Sequence, residues 1–168
     1  MIKSIFRFFL GPVLLVLLQV LVLNHVNLFN RFTPQFYLLI ILLLPFETPR
    51  WTLLFYGFFL GLTIDVFTDS LGLHTIATVF AAYVRYFILQ VLSPRDGFEP
   101  GTLPRALTFG FPWFIKYAFS LTLLHHTILY IFEIFDITEF GTIVFYTIAA
   151  TLFTTLTLVI SQLFIFRR

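Results

Sequence analysis

Gly57-Phe-Phe-Leu-Gly-Leu-Thr-Ile-Asp-Val-Phe-Thr-Asp-Ser-Leu-Gly72 is the stretch whose spacing decides the fold. Gly57 and Gly61 stand four residues apart, and Asp65 follows at the same interval. On a helix with 3.6 residues per turn the three share one stripe, about two turns long. In lipid, small residues on such a stripe let a second helix backbone come close. A carboxylate beside them belongs against protein or water, because hydrocarbon is a costly place for it. After Asp65 the chain turns through Thr68-Asp69-Ser70 and becomes apolar again at Leu71-Gly72. Two readings stay open: a tight helix hairpin that only packs, or a partner-binding or gating element made of Gly57, Gly61, Asp65, Asp69 and Gly72.

The rest of the chain has the same character. Of 168 residues, 60% are hydrophobic and only 11% charged; 25 are Phe, and mean hydropathy is +1.00. A soluble surface needs more charge than that, so the chain is read as an all-α, polytopic integral membrane protein. Cysteine is absent, which excludes disulfides, thiolate metal sites and cysteine nucleophiles. Lys3 and Arg7 precede an apolar run in the manner of a signal peptide. No small-x-small cleavage site comes before Asn24, so a retained first helix is expected.

Apolar runs and their breakers predict six transmembrane helices in a single domain, over roughly residues 4–23, 33–46, 51–67, 71–92, 105–132 and 141–166. The second is short. Gln35 to Phe46 gives about 18 Å at 1.5 Å per residue, against a hydrocarbon core of ~30 Å. It must extend into its flanks, thin the bilayer or re-enter. Basic residues set the orientation. With both termini in the cytoplasm, the inner segments hold Lys3, Arg7, Arg50, Arg95, Arg105, Arg167 and Arg168, and the outer ones only Arg31, seven against one. Five helices would put Arg167 and Arg168 outside, which favours counting the second as a span. The outer face is then acidic, with Asp65, Asp69, Glu133, Asp136 and Glu139.

Little in the chain suggests chemistry. Adjacent helical residues point about 100° apart, so His125 and His126 cannot converge on one ion unaided. His74 and His25 could join them, but nothing fixes that geometry. There is no G-x-S-x-G, no glycine-rich phosphate loop and no pair of intramembrane acids. No catalytic residue, metal or cofactor is assigned, and the chain is read as non-enzymatic. Arg85 and Lys116 lie inside helices. Each is either a snorkelling cation or a charge at a helix seam, paired with a partner protein or with a carboxylate such as Glu47. Asp65 lies near a helix C-terminus, where the dipole disfavours a carboxylate. A local bond to the Thr68 or Ser70 turn is the simplest compensation.

Taken together, these features resemble the bacterial rod-shape-determining membrane protein family MreD. The resemblance rests on Gln19 and the polar loop after its helix, the Pro-led, Leu-rich run from Phe32 to Pro45, and the Gly57-x-x-x-Gly61-x-x-x-Asp65 stripe. The Ser70-Leu71-Gly72 turn and the Ala-rich helix through Ala82-Tyr83 complete it, over roughly Gln19 to Arg85. It implies a scaffold subunit of the cell-elongation complex in the bacterial cytoplasmic membrane. It also implies binding to the bitopic protein MreC, alongside MreB and RodA with its transpeptidase partner, and no nucleic acid. The implied fold is that of the substrate-binding subunits of energy-coupling-factor transporters, which supplies an alternative: a membrane-embedded binder of a vitamin-like molecule. On the scaffold reading, the glycine stripe and the turn from Asp65 to Gly72 dock a partner, with Arg85 a further contact. Arg50, Arg95 and Arg105 then meet anionic membrane lipid or the cytoplasmic filament.

Overall fold

The computed structural model describes residues 2–25, 33–99 and 101–165. Among them every regular element is helical and no strand occurs. The helices are α1 (Ile2–Leu21), α2 (Leu38–Leu43), α3 (Arg50–Thr68), α4 (Leu73–Val91), α5 (Ala106–Phe109), α6 (Phe111–Ile134) and α7 (Phe140–Ile165), with 3-10 turns at Leu23–His25 and Ile137–Glu139. By length and composition, α3 and α7 are apolar enough to cross a membrane. The charges of Lys3, Arg7, Arg31, Arg167 and Arg168 lie outside what the structure describes.

Two of the expected helices differ from what is found. The expected fifth is broken. Gly110, at φ 85° and ψ 156°, ends α5, and Pro112 in the first turn of α6 restarts the helix where its missing N–H is harmless. The expected second, over residues 33–46, contracts to the six residues of α2, about 9 Å at 1.5 Å per residue. Pro45 holds Leu44 extended, at ψ 144°, and so stops the helix there.

This short piece is the centre of the molecule. Tyr37, Leu38, Leu39, Ile41 and Leu42 are fully buried, and the long helices are wrapped around them. α3 and α4 form one antiparallel hairpin, α6 and α7 another, and α4 packs on α6 between them. Ala81 on α4 and Ala118 on α6 are fully buried, while Ala82 on α4 faces Gly57 of α3. The outward faces carry Phe55, Phe59, Phe87, Phe145, Leu152 and Phe164, all exposed. An apolar exterior around a core that contains polar groups is what lipid as solvent demands.

Candidate functional site

The polar groups inside the bundle fall into three constructions. The first is the α3–α4 hairpin. Asp65, only 6% exposed, accepts from the Ser70 hydroxyl (2.6 Å) and the His74 N–H (2.9 Å) through Oδ1. Its Oδ2 accepts from the Thr75 N–H (2.8 Å) and the Thr75 hydroxyl (2.5 Å). The carboxylate thus caps the N-terminus of α4, where orphan N–H groups and the helix dipole favour an anion. That cap offsets its unfavourable place at the end of α3. The reach is short enough only because Gly61 has no side chain. A Cβ there would lie 2.5 Å from Thr75 Cα and 2.7 Å from the His74 carbonyl oxygen; one on Gly57 would meet Ala82 Cβ at 3.0 Å. Glycine stripe and carboxylate are one device that clamps α4 to α3.

The second construction holds the head of α2. The first N–H groups of α2, those of Leu38, Leu39 and Ile40, bond to the carbonyls of Gln35, Phe36 and Tyr37, and the turn that supplies those carbonyls is itself held by side chains. The Phe36 N–H is taken by Gln19 Oε1 (2.7 Å) and the Gln35 N–H by Thr154 Oγ1 (3.1 Å), while Gln19 Nε2 donates to the Pro34 carbonyl (2.9 Å). The Tyr37 hydroxyl lies between His74 Nδ1 (3.1 Å) and His125 Nε2 (3.0 Å). His125 Nδ1 has no partner among the described residues. A bare acceptor is less costly to bury than a bare N–H, which puts the proton of His125 on Nε2. The chain then runs from His125 Nε2–H to Tyr37 and from the Tyr37 hydroxyl to His74 Nδ1. His126 turns the other way. Its Nδ1–H donates to the Thr122 carbonyl (2.8 Å), and Nε2 lies 3.5 Å from Thr154 Oγ1 on α7.

The third construction holds the tail of α2. Arg85, 1% exposed, donates through Nε to the Tyr117 hydroxyl (2.8 Å), and through its guanidinium to the carbonyls of Leu44 and Pro45. Tyr117 in turn donates to the Leu42 carbonyl (3.1 Å). The cation stands at the C-terminal, negative end of α2.

The larger cavities bounded by described residues lie on the outside of the bundle. One of about 330 Å³ lies between α1 and α3, one of about 420 Å³ on α3 and α4, and one of about 610 Å³ between α6 and α7. None has His74, His126 or Asp65 on its wall.

A family model described as rod shape-determining protein MreD matches residues 2–100, more than half of the chain. The chain belongs to the MreD family. No curated protein and no solved structure matches it. It is therefore a bacterial membrane protein with a role in cell shape, from a family of structural rather than enzymatic proteins. The MreD match is wider than the Gln19–Arg85 resemblance. It contains the α3–α4 hairpin, the buried α2 and Arg85, but not α6 or α7 with their histidines and threonines.

Within this MreD chain the expected site residues separate. Gly57, Gly61 and Asp65 are buried and face α4 of the same chain, which is the packing reading of the stripe. Arg85 neither snorkels nor pairs with Glu47, which instead accepts the Gly101 N–H (2.7 Å). Its function is to hold carbonyls. Lys116, by contrast, is exposed on α6. Asp69 and the residues up to Gly72 form the surface turn, with Asp69 (φ 54°), Leu71 (φ 51°) and Gly72 (φ 94°) all left-handed and Leu71 96% exposed. Sequence reasoning missed Tyr37, Tyr117 and Thr154, and used Gln19 only as a mark of the resemblance, without its role at Phe36 and Pro34. Gln35 and Tyr37, bracketed by Pro34 and Pro45, were the available signal for an internally satisfied segment.

Proposed function

We propose that this chain is a non-enzymatic membrane scaffold of the rod complex, which binds MreC and helps to position peptidoglycan synthesis alongside MreB, RodA and its transpeptidase partner. The observation that carries the proposal, beyond the family, is the filled interior. Residues 36–42 occupy the centre of the bundle, and the polar groups around them are bonded to one another. A scaffold tolerates that; a vitamin-binding subunit needs the space. His74, His126 and Asp65, which would rim such a site, are turned to other partners, so the binder reading gains nothing.

The proposal includes six crossings in one domain, both termini in the cytoplasm, and the fold of energy-coupling-factor substrate-binding subunits. Six helical residues rise about 9 Å, so the second crossing rests on the flanks within residues 33–46, extended at Leu44 and Pro45 and turned at Phe36 and Tyr37. Hairpin connectivity puts Arg50, Arg95 and Arg105 at one end of the bundle and Asp69, Asp136 and Glu139 at the other. The basic end is the cytoplasmic one on the positive-inside rule.

The partner surface is the outer turn, Asp69 to Gly72. An apolar side chain held almost fully exposed in a left-handed conformation is an unfavourable arrangement unless something covers it. Gly57, Gly61, Asp65 and Arg85 act behind it by holding α4 and α2 in place. The test is recovery of MreC with tagged protein from solubilised native membranes. Leu71→Asn and Asp69→Lys should each lower recovery while the protein stays in the membrane. Unchanged recovery with both removes the turn as the contact, and no MreC with the unaltered chain removes the reading altogether.

A further inference from the structure

Tyr37, the residue before α2, is fully buried, and two imidazoles hold its hydroxyl: His74 on α4 and His125 on α6. The two histidines differ in access. His125 is fully buried, whereas His74 is half-buried, in the first turn of α4 and two residues past Gly72 on the exposed turn. The chain of bonds also has a direction. His125 Nε2–H donates to the Tyr37 oxygen and the Tyr37 hydroxyl donates to His74 Nδ1, which requires a neutral His74 with its proton on Nε2. A proton added to His74 puts a hydrogen on Nδ1, where the Tyr37 hydrogen already points. The Tyr37 oxygen can accept the newcomer, but its own hydrogen must then turn away. Its other neighbour, His125 Nε2, carries a hydrogen too. Moving that hydrogen to His125 Nδ1 frees the acceptor, yet Nδ1 has no partner among the described residues. Either way one buried donor is left without an acceptor, a costlier defect than the bare acceptor it replaces.

The groups that face His74 come from every element packed on α4. α3 presents the Asp65 carboxylate, which accepts the His74 N–H (2.9 Å). The turn leading into α2 presents Tyr37, and α6 presents His125, with His126 beside it turned to Thr122. On α4 itself the nearest charge is Arg85, eleven residues on and about 16 Å away. Asp69, on the turn before α4, is exposed. Asp65 is thus a fixed anion beside His74, and an anion there favours the imidazolium. We propose that His74 is a proton-binding site open to the outer face, in the orientation proposed above, and that a proton there releases Tyr37 and with it the head of α2. The proton comes from water and stays on the imidazole, and no bond between heavy atoms changes. The closed arrangement binds one proton fewer than the released one, so it weakens as pH falls.

The experiment is amide hydrogen exchange of the full chain in detergent micelles, from about pH 7.5 to about pH 5.5, the range in which histidine takes its proton. Protection factors are compared after the pH dependence of intrinsic exchange is divided out. Protection across residues 38–43 should fall about 5- to 150-fold on acidification, the cost of one buried donor left unpaired, while α3 and α7 hold theirs. His74→Gln keeps an acceptor for Tyr37 but cannot titrate, so its protection should be the same at both ends of the range. Tyr37→Phe should lower protection equally at both. Imidazole nitrogen NMR of the unaltered chain should show His74 gaining its second proton over the same interval, with His125 staying neutral. Protection of residues 38–43 indifferent to pH overturns the proposal, as does a pH dependence that survives in His74→Gln. A loss spread evenly over α3, α4, α6 and α7 is global unfolding and overturns it too, and so does a His74 that stays neutral throughout.

Discussion

Gly61→Ala and Asp65→Asn should cost far less together than apart, because both act on the first turn of α4. The methyl group added at Gly61 would lie 2.5 Å from Thr75 Cα, whereas ordinary contact begins at 3.4 Å, so the turn must retreat by about 0.9 Å. That takes the Thr75 N–H from 2.8 Å to about 3.7 Å from the carboxylate, beyond hydrogen-bond range. The Thr75 hydroxyl goes with it. Two bonds to a charged group are each worth ~1.5–3 kcal/mol, and the carboxylate can re-aim in part, so a loss of about 3 kcal/mol is expected. Asp65→Asn alone keeps the Ser70 and His74 bonds but turns an amide toward Thr75, at ~1.5–3 kcal/mol. In the double variant the Thr75 bonds are already gone, and the coupling should be ~1–3 kcal/mol. Amide hydrogen exchange at His74 and Thr75 in detergent micelles reads this locally, since 3 kcal/mol is about a 150-fold faster opening. Thermal unfolding of the same samples reads it globally. Strict additivity, or a Gly61→Ala chain as protected as the unaltered one, would refute the clamp.

Three further outcomes follow from the remaining geometry. Tyr37→Phe leaves His125 Nε2 and His74 Nδ1 facing a ring edge; stability should fall by ~1–3 kcal/mol in thermal unfolding, and the imidazole NMR signals of both residues should shift together. Arg85→Lys replaces a planar fork by a single point donor, which cannot serve Tyr117 and the Leu44 carbonyl at once. A loss of ~1.5–3 kcal/mol and faster exchange in residues 38–43 are expected, and equal stability would mean the carbonyls need no fork. Leu71→Asn should stabilise the isolated chain by ~1 kcal/mol, because asparagine tolerates φ 51°, while it weakens MreC recovery; opposite signs in the two assays separate a contact residue from a structural one.

The hairpin was legible because its signal is local: three residues at one helical interval give both the close approach and the buried acid. What Asp65 binds was only half legible. Ser70 lies within the turn, but the N–H groups of His74 and Thr75 are nine and ten positions on and belong to the next helix. The break in the expected fifth helix did have a signal. A glycine two residues before a proline, Gly110 and Pro112, is a stop followed by a start. The depth of α2 had none in hydropathy, since a run such as Leu38-Leu-Ile-Ile-Leu-Leu43 is as apolar whether lipid or protein surrounds it.

Arg85 shows why ionisable residues within helices are hard to read one at a time. Taken alone it is a cation in an apolar helix, and a carboxylate partner or the headgroups are the obvious places to send it. Its actual partners are backbone carbonyls some forty residues away, exposed because Pro45 ends α2 after six residues. The same holds for Gln19 and Thr154, which take the N–H groups of Phe36 and Gln35 in the turn that leads into that helix. A helix this short inside a membrane protein has to borrow donors and acceptors from its neighbours, and the number of buried polar side chains rises to match. Polar residues in the long helices of such a chain therefore follow first from the backbone they satisfy. On the scaffold proposal, it is groups the backbone does not use, such as the exposed turn at Leu71, that are left for a partner.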